Sequence, residues 1–497
     1  MTLRLAALAA AVLVVGCGGS GGGGGPAPQV AFTVTAVTPL DSSEDVPLTE
    51  QINVAFSKPV DPDSLSANSF EVKAESGDVI RGTREVPRLN QSLVRFVPDQ
   101  GYLPFAVHMI RVTRDLRDQT GEALDKDYEF RFQTQEEGPV LPTQTELDDL
   151  GSLLRIGRFF HRMTLLPGLN RFLVAGGYLA DGQPALGSAE NLIPALTQST
   201  IIPSSMRDAR AAHAQVLLRD GRVLLAGGEA LSTPFVPLAT CEIFDPQTFT
   251  FRVAASMNHA RSLAHAALLP DGRVLITGGQ DVDPSGNLIF RADAEIYDPD
   301  ADEWRALGAR MEVGRSAHFS GPTPGGDVVI IGGTTGAPSA TLWRTSTEAF
   351  SPQLGTPFHE HYFGAGTILP DGRLFVVGGV NTQALTIWDP QFGFLQGINR
   401  MASERSFATA TAFDDGRVLI VGGFDLSGAP TVHTTIDVYF PIGATGKFFP
   451  ATELELPAPT SHHAAALGPD GAVWITGGIA LQGGLPALRQ VTVIRPE

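Results

Sequence analysis

The chain has 497 residues, of which 43% are hydrophobic, and this length predicts two or three domains with cores of their own. Its 53 acidic residues outnumber the 35 basic ones, so a net charge of −18 repels phosphate backbones and nucleic acid is not expected as a partner. The 55 glycines and 36 prolines recur at regular intervals, which is typical of turns between many short strands.

The N-terminus has the layout of a secretory signal. Arg4 supplies a positive charge, and residues 5–15 form an apolar segment that is too short for a membrane span, which takes about 20 residues. The segment ends in the sequence VVGC at Cys17, which resembles the bacterial lipobox and implies that Cys17 is lipidated. We therefore predict a signal peptide over residues 1–16 and a glycine-rich tether over residues 17–31. An uncleaved anchor, or a signal peptide with an incidental cysteine, is the alternative.

The residue after this cysteine is Gly18, whereas an aspartate there is associated with retention at the inner membrane. We therefore expect an exported protein that its lipid holds at the outer membrane or the cell surface. The other cysteine, Cys241, lies in a strand-like segment and is interpreted as a buried structural thiol. With Cys17 lipidated, the mature chain cannot form an internal disulfide, so its stability depends on core burial.

Residues 32–134 alternate apolar and polar side chains in short runs, as at Ile52, Val54 and Phe56. Runs of this kind over about a hundred residues predict a β-sandwich. The stretches TPLDSSEDVPLTEQINVAFSKPVDPDSL and VTRDLRDQTGEALDKDYEFRFQT resemble the bacterial Ig-like domain of the S-layer SbsA type. The resemblance implies a stalk or spacer domain without chemistry, and the polar residues 135–147 after it are predicted to form a linker.

Residues 148–497 are repetitive, because a diglycine closes an apolar run seven times. The clearest copy reads MNHARSLAHAALLPDGRVLITGG over residues 257–279 and DAEIYDP over residues 293–299. The Asp-Gly pair predicts a tight hairpin turn, and the diglycine allows close backbone packing. Four strands in each unit therefore predict seven radially repeated sheets. The repeats resemble kelch repeats of the galactose oxidase type, which implies an all-β chain with a seven-bladed β-propeller that binds proteins or sugars.

The last repeat ends at its third strand, around Val491 to Ile494, so its sheet lacks a fourth strand. The segment before the first repeat, residues 147–158, aligns with the fourth strands of other repeats. We therefore predict that residues around Ser152 to Ile156 pair beside Val491 to Ile494. The two ends of the propeller would then close the ring within one sheet.

Candidate metal sites in the sequence are incomplete. His359 and His361 would share one face of a strand, but they supply two of the three or four ligands that a site needs, and surface histidines are the preferred interpretation. Residues 281–287 resemble the first half of a calcium loop, whose closing acidic position is Ala292. The copper oxidases with this propeller need a Cys–Tyr thioether, a second tyrosine and two histidines, and the sequence shows no copy of that set. We predict no metal, no cofactor and no catalytic residue.

One repeated position stands out as a candidate site. An arginine lies eleven residues before the glycine of the Asp-Gly turn in four repeats, with Thr460 in the last repeat and histidines three residues later in several copies. The predicted ring at the propeller mouth consists of Arg158, Arg210, Arg261, Arg315, His361 and Arg405. The arginines would bind an acidic peptide or an acidic sugar there, or they would instead bond carbonyl groups of neighbouring blades.

The sequence thus predicts a monomeric, exported and lipid-anchored binding protein that recognises a protein or a glycan and is not an enzyme. Two alternatives stay open. The first is a carbohydrate-active or oxidising enzyme that uses the propeller mouth, and the second is a structural component of the cell envelope.

Overall fold

The computed structural model describes residues 31–46, 50–75, 77–87, 90–99, 102, 106–134, 146–334, 338–351, 357, 359–390, 393–395, 400–425, 431–441, 447–480 and 486–495. The predicted signal peptide, Cys17 with most of its tether, and most of the predicted linker lie outside these residues. No helix in the described ranges has the length and apolar character that a membrane crossing requires.

The first domain is a β-sandwich, as predicted, in which two four-stranded sheets enclose one core. Its strands are β1 (Val34–Thr38), β2 (Ser43–Val46), β3 (Ile52–Phe56), β4 (Phe70–Ala74), β5 (Gly82–Glu85), β6 (Leu93–Pro98), β7 (Val107–Val112) and β8 (Tyr128–Thr134), with the 3-10 helix η1 (Pro62–Ser64) between β3 and β4. The sheet orders are β1-β3-β6-β5 and β2-β8-β7-β4. Alternate residues of β3 are buried because a strand turns every second side chain towards the core.

Within the described part of the rest of the chain, seven four-stranded sheets follow, which we call blades 1 to 7. After β9 (Glu146–Asp149), blade 1 has β10 (Arg162–Leu166), β11 (Arg171–Ala175), β12 (Ala189–Ile193), the 3-10 helix η2 (Pro194–Leu196) and β13 (Gln198–Ile201). Blade 2 has β14 (Ala214–Leu217), β15 (Val223–Ala226), an extra hairpin of β16 (Glu229–Ser232) and β17 (Phe235–Pro237), then β18 (Cys241–Asp245) and β19 (Thr250–Ala254). Blade 3 has β20 (His265–Leu268), β21 (Val274–Thr277), an extra hairpin of β22 (Gln280–Val282) and β23 (Leu288–Phe290), then β24 (Asp293–Asp298) and β25 (Glu303–Arg310).

Blades 4 to 7 repeat this plan. Blade 4 has β26 (Phe319–Pro322), β27 (Val328–Ile331), β28 (Ala340–Arg344) and β29 (Ala349–Ser351), and blade 5 has β30 (Ala365–Ile368), β31 (Leu374–Val377), β32 (Leu385–Asp389) and β33 (Gly393–Leu395). Blade 6 has β34 (Thr409–Ala412), β35 (Val418–Val421), a third extra hairpin of β36 (Phe424–Asp425) and β37 (Thr431–Val432), then β38 (Thr435–Phe440) and β39 (Lys447–Glu455). Blade 7 has β40 (Ala464–Leu467), β41 (Val473–Thr476) and β42 (Val491–Arg495), and β9 completes its sheet.

The blades form a closed ring around a central axis. The first strand of each blade contacts the first strand of the next, and β40 contacts β10. The second strands of blades 2 to 7 are buried along their whole length, and β11 of blade 1 is buried except at Arg171, since each of these strands lies between two neighbouring sheets. The apolar core of the propeller therefore lies at the interfaces between neighbouring blades. For example, Leu224 of blade 2 and Ile276 of blade 3 belong to one apolar cluster.

The ring closes within one sheet, as predicted, but through a different strand. Residues Glu146–Asp149, and not Ser152 to Ile156, pair with β42. After β9 the chain turns at Gly151, whose φ is +63°, and leaves the sheet. The N–H groups of Arg155 and Ile156 then donate to the carboxylate of Glu190 at 2.8 and 3.0 Å, so they are not available to a strand ladder.

Candidate functional site

The predicted ring positions lie just before the first strand of each blade, and their side chains are almost completely buried. At most 1% of each arginine and of His361 is exposed. We call these residues the clamp positions, and they are Arg158, Arg210, Arg261, Arg315, His361, Arg405 and Thr460. This burial places the guanidinium groups out of reach of a ligand at the propeller mouth.

Each clamp side chain binds the backbone of its own blade, at the first glycine of the diglycine. Arg158 Nη1 donates to the carbonyl oxygen of Gly176 at 2.7 Å. The same bond recurs at the other clamp positions: Arg210 to Gly227 at 2.7 Å, Arg261 to Gly278 at 2.7 Å, Arg315 to Gly332 at 2.8 Å, His361 to Gly378 at 2.7 Å, Arg405 to Gly422 at 2.8 Å and Thr460 to Gly477 at 3.2 Å.

The backbone of each clamp position binds the preceding blade. The N–H of Gly177 in blade 1 donates to the carbonyl oxygen of Arg210 in blade 2 at 2.9 Å, and the equivalent bond recurs around the ring. A Cβ on Gly176 would lie 2.3 Å from that same oxygen, which explains the glycine there. A clamp residue thus ties two blades together, and this geometry favours the structural role over ligand binding. The carbonyl that each side chain bonds belongs to its own blade, whereas the structural alternative drawn from the sequence had the arginines bond carbonyls of neighbouring blades.

The side chain that faces a clamp position is a carboxylate in four blades and a threonine in the other three. Opposite the second strand, at the same register in every blade, the third strand carries a carboxylate or a threonine. Four arginines pair with buried carboxylates: Arg158 with Glu190 at 3.0 Å, Arg210 with Glu242 at 3.0 Å, Arg261 with Glu295 at 2.8 Å and Arg405 with Asp437 at 2.9 Å. Threonines replace the carboxylate in the other blades: Thr341 facing Arg315, Thr386 facing His361 and Thr492 in blade 7.

Two residues after each clamp position, the backbone turns into the left-handed region and forms an inner ring around the axis. These seven residues, which we call the axial ring, have φ values of 48° to 61°: Phe160, Ala212, Leu263, Ala317, Phe363, Phe407 and His462. The N–H of Ala212 donates to the carbonyl oxygen of Phe160 at 2.9 Å, and five further bonds of this kind link neighbouring blades. Left-handed backbone is strained for residues with a side chain, so this ring persists because the blades hold it in place.

The axial ring is aromatic on one side only. The ring centroids of Phe407 and His462 are 4.0 Å apart, and those of Phe363 and Phe407 are 4.1 Å apart. Phe160 packs edge-on against His462, with 4.4 Å between the ring centroids. Blades 2 to 4 instead contribute Ala212, Leu263 and Ala317. This ring was not predicted from the sequence, although each of its members lies two residues after a clamp position.

An axial cavity of about 260 Å³ begins at the axial ring and runs between the first strands. Three of the histidines that lie three residues after a clamp position line its wall and bond a hydroxyl group of the preceding blade: His161 to Thr476 at 2.9 Å, His318 to Thr277 at 2.8 Å and His463 to Thr409 at 2.9 Å. The fourth, His213, does not line the cavity and bonds Gln215 of its own blade at 3.2 Å. Burial lowers the pKa of His463 to about 3 and keeps the pKa of His161 and His318 well below the ordinary value, so these imidazoles are neutral at pH 7.

The candidate metal ligands His361 and Asp283 have other partners. His361 uses Nδ1 for Gly378 and Nε2 for Thr386, so neither nitrogen is left to share a site with His359. Asp283 accepts from the N–H groups of Ser285 and Asn287, which makes residues 281–287 the turn of the β22–β23 hairpin.

Within the described ranges, one three-residue group has metal-ligand character, namely His259, Asp293 and Glu295, with ligand atoms within 4.8 Å of one another. Both carboxylates of the group already bind arginine. Asp293 pairs with Arg261 and Arg291, at 3.2 and 2.8 Å. A cation would compete with two guanidinium groups there, so the group does not support a metal site.

The loops that follow the diglycines lie on the same face of the propeller as the clamp positions. Isolated bridges join the residue after a clamp position to the residue after a diglycine, for example Ala211 to Glu229 and Ser262 to Gln280. This side of the molecule, which we call the loop face, carries the three extra hairpins. Strand β17 of the blade 2 hairpin contacts β22 of the blade 3 hairpin. Exposed aliphatic side chains lie on the loops of blades 1 to 3: Leu179 (44% exposed), Val236 (42%), Leu288 (54%) and Ile289 (36%).

Comparison with known proteins identifies the first domain. Residues 28–134 match the family model of the bacterial Ig-like domain. That domain is therefore a bacterial Ig-like domain. The chain is also similar to an S-layer protein of Geobacillus stearothermophilus, at 26% identity over 163 residues, which cover 31% of this chain and 13% of that protein.

The other comparisons concern a further curated protein and a solved structure. The tRNA wybutosine-synthesizing protein 4 of Saccharomyces cerevisiae is 28% identical over 189 residues, which cover 36% of this chain and 26% of that protein. The chain thus spans about a quarter or less of the length of the curated relatives it matches. A fungal alcohol oxidase of the AA5 family, solved in complex with copper, is 18% identical with a TM-score of 0.55 over 71% of this chain and 76% of that one. At this identity the likeness shows the β-propeller fold alone.

The described residues of this chain do not fit the copper set that such a propeller implies. Cys241 is buried inside the sheet of blade 2, and burial raises the pKa of its thiol to about 12, so it is a neutral core side chain. It lies in the apolar cluster between blades 2 and 3 and is not among the residues that line the axial cavity. His462 of the axial ring already has a partner at Nδ1, the hydroxyl of Ser461 at 2.9 Å.

Proposed function

We propose that this chain is an exported surface protein whose propeller binds a partner protein through the loop face and catalyses no reaction. The exposed aliphatic side chains of Leu179, Val236, Leu288 and Ile289 carry the proposal. They lie on neighbouring loops of one face, and apolar side chains grouped in this way on a surface mark a binding site. A rigid ring of blades holds the loops in position.

The chemistry of the loop face favours a protein over a glycan. Aliphatic side chains offer no hydrogen bonds to sugar hydroxyl groups, whereas they match the apolar centre of a protein interface. The clamp arginines are all buried, four of them in ion pairs, and so they give no support to an acidic sugar as the ligand at this face. The likeness of the repeats to kelch repeats, whose propellers bind proteins or sugars, is part of the same proposal.

Export and anchoring rest on different observations. The bacterial Ig-like domain and the similarity to an S-layer protein support a location outside the cell. Lipidation of Cys17 rests on the short apolar segment before it and on the VVGC sequence. Mass spectrometry of the mature N-terminus should find a lipid-modified Cys17, whereas a mature protein that begins elsewhere would contradict the anchor.

The loop face can be tested by binding of the full chain to an array of purified envelope proteins and bacterial glycans. We expect a protein ligand whose affinity falls at least tenfold in the double variant Val236→Asp and Leu288→Asp. The matched control is Val253→Asp on β19, the outer strand of blade 2, where the valine is 49% exposed. Absence of any binder, or a binder that is indifferent to the loop-face variant, would contradict the proposal.

The oxidising enzyme is tested separately, because its chemistry needs a metal. We expect elemental analysis of the purified full chain to find no stoichiometric copper after incubation with Cu²⁺ and desalting. Copper at one equivalent per chain, with oxidation of an alcohol, would overturn the non-catalytic assignment.

A further inference from the structure

One cationic side chain in the axial cavity has no acidic partner. Arg162, the first residue of β10, is exposed to the cavity, and its Nε donates to the carbonyl oxygen of His213 at 2.9 Å. No carboxylate among the described residues forms an ion pair with Arg162, and desolvation lowers the pKa of its guanidinium. The two Nη groups are therefore the strongest hydrogen-bond donors that the cavity offers.

The cavity wall is free of acidic groups as far as the structure describes it. The chain has 53 acidic residues, yet none of them is among the residues that line the cavity. The polar lining side chains are Arg162, Thr409 and the histidines His161, His265, His318, His462 and His463. A strongly acidic protein thus contains one compartment whose only fixed charge is positive.

The imidazoles near Arg162 supply no counter-charge. Burial, followed by the charge of Arg162, lowers the pKa of His265 to about 4. Burial also lowers the pKa of His213 to about 3, with the charges of Arg210 and Arg162 acting in the same direction. These side chains are neutral at pH 7, so no group of the described lining balances the charge of Arg162, and a bound anion would supply the opposite charge.

We propose that the axial cavity binds a small oxyanion, either phosphate or an organic carboxylate, through the Nη groups of Arg162. The planar fork of a guanidinium matches two oxygen atoms of such a group. His265 offers a second donor. Its Nδ1 lies 2.8 Å from Ser320 Oγ, and when that hydroxyl donates, the imidazole proton is on Nε2.

This site is separate from the loop face. It is formed by first strands of the blades, and its volume of about 260 Å³ accommodates a small organic acid and not a polypeptide. The loop-face variant Val236→Asp and Leu288→Asp should therefore leave anion binding unchanged. Loss of partner binding with intact anion binding, or the reverse, distinguishes a failure of one proposal from a failure of the other.

The test is calorimetry of the full chain with sodium phosphate and with sodium glucuronate at constant ionic strength. We expect saturable binding of at least one of them, which identifies the oxyanion class that the site prefers. Arg162→Gln should weaken that binding at least tenfold, and Arg162→Lys should weaken it less because the charge remains. Arg305→Gln is the matched control, since Arg305 is an exposed arginine on the outer strand β25.

A second measurement on the unchanged protein covers the case in which Arg162→Gln does not fold. Nuclear magnetic resonance should show that a saturating anion raises the pKa of His265 from about 4, because a nearby negative charge favours the imidazolium. Absence of saturable binding by both anions, equal binding by Arg162→Gln, or an unchanged His265 pKa in the saturated protein would overturn the proposal.

Discussion

The N–H of Gly478 donates to the carbonyl oxygen of Arg158 at 2.9 Å, and this bond joins the last blade of the propeller to the first. Arg158 also holds its own blade through Gly176 and Glu190. Arg158 lies near the start of the propeller, and Gly478 follows more than three hundred positions later. Their bond is of the same kind as the bonds that join the remaining neighbouring blades. The clamps therefore join all seven blades into one closed ring.

Removal of one clamp arginine should destabilise the whole propeller. In Arg210→Gln, the carbonyl oxygens of Gly227 and Thr240 each lose the bond from the guanidinium, and the carboxylate of Glu242 stays buried without its cation. We expect the free energy of unfolding, measured by urea titration, to fall by about 3–5 kcal/mol.

The exposed Arg252, which pairs with Asp302, provides the control for this variant. Arg252→Gln should cost less than about 1 kcal/mol, because an exposed ion pair contributes little. Equal effects of Arg210→Gln and Arg252→Gln on unfolding would show that the clamp does not hold the blades.

The first glycine of each diglycine should not tolerate a Cβ. In Gly278→Ala, at φ +59°, the added carbon lies 2.4 Å from the carbonyl oxygen of Arg315, so neighbouring blades must separate. We expect a loss of at least about 3 kcal/mol in thermal or urea unfolding. Gly286→Ala, at φ +83° with open space around it, should cost only about 1 kcal/mol. A Gly278→Ala protein as stable as Gly286→Ala would contradict the close approach of the blades.

Ring closure should depend on β9. Deletion of Glu146–Asp149 removes the strand that pairs with Val491–Arg495 and exposes an edge of blade 7. Differential scanning calorimetry should then show a lower melting temperature for the propeller. Deletion of four residues from the predicted linker, 139–142, shortens the chain equally and should leave the melting temperature unchanged. If both deletions melt like the intact chain, β9 does not close the ring.

Acidification should destabilise the propeller through its buried histidines. Burial lowers the pKa of His213 to about 3, whereas the unfolded chain titrates near 6.5, so the unfolded state binds the proton first as the pH falls. The free energy of unfolding is then fully present above pH 6.5 and declines below it, by at most about 1.4 kcal/mol per pH unit for each such histidine.

Urea titrations between pH 7 and pH 5 measure this decline. His213→Gln should reduce its slope relative to the wild-type protein, because this substitution removes the proton that the unfolded state takes up first. An identical slope in the wild-type and His213→Gln proteins would show that His213 is not protonated selectively in the unfolded state.

The sequence by itself determined the features that depend on residues close together along the chain, namely the turns, the strands and their repetition. The Asp-Gly turns and the diglycines, with apolar strands between them, specify hairpins locally, and their periodic return required seven sheets. Alternating side chains such as Ile52, Val54 and Phe56 likewise determined the sandwich, because one face of each strand must be buried.

Only the tertiary structure decided that the repeated arginines tie blades together and that a ligand could bind in the axial cavity. The direction of the Arg210 side chain depends on a glutamate, Glu242, that lies on another strand of the same sheet, and no local pattern links the two. Arg162 stood out neither by motif nor by repetition. Its charge became notable because the seven first strands enclose a space without carboxylates, and such a space exists only when the ring of blades has closed.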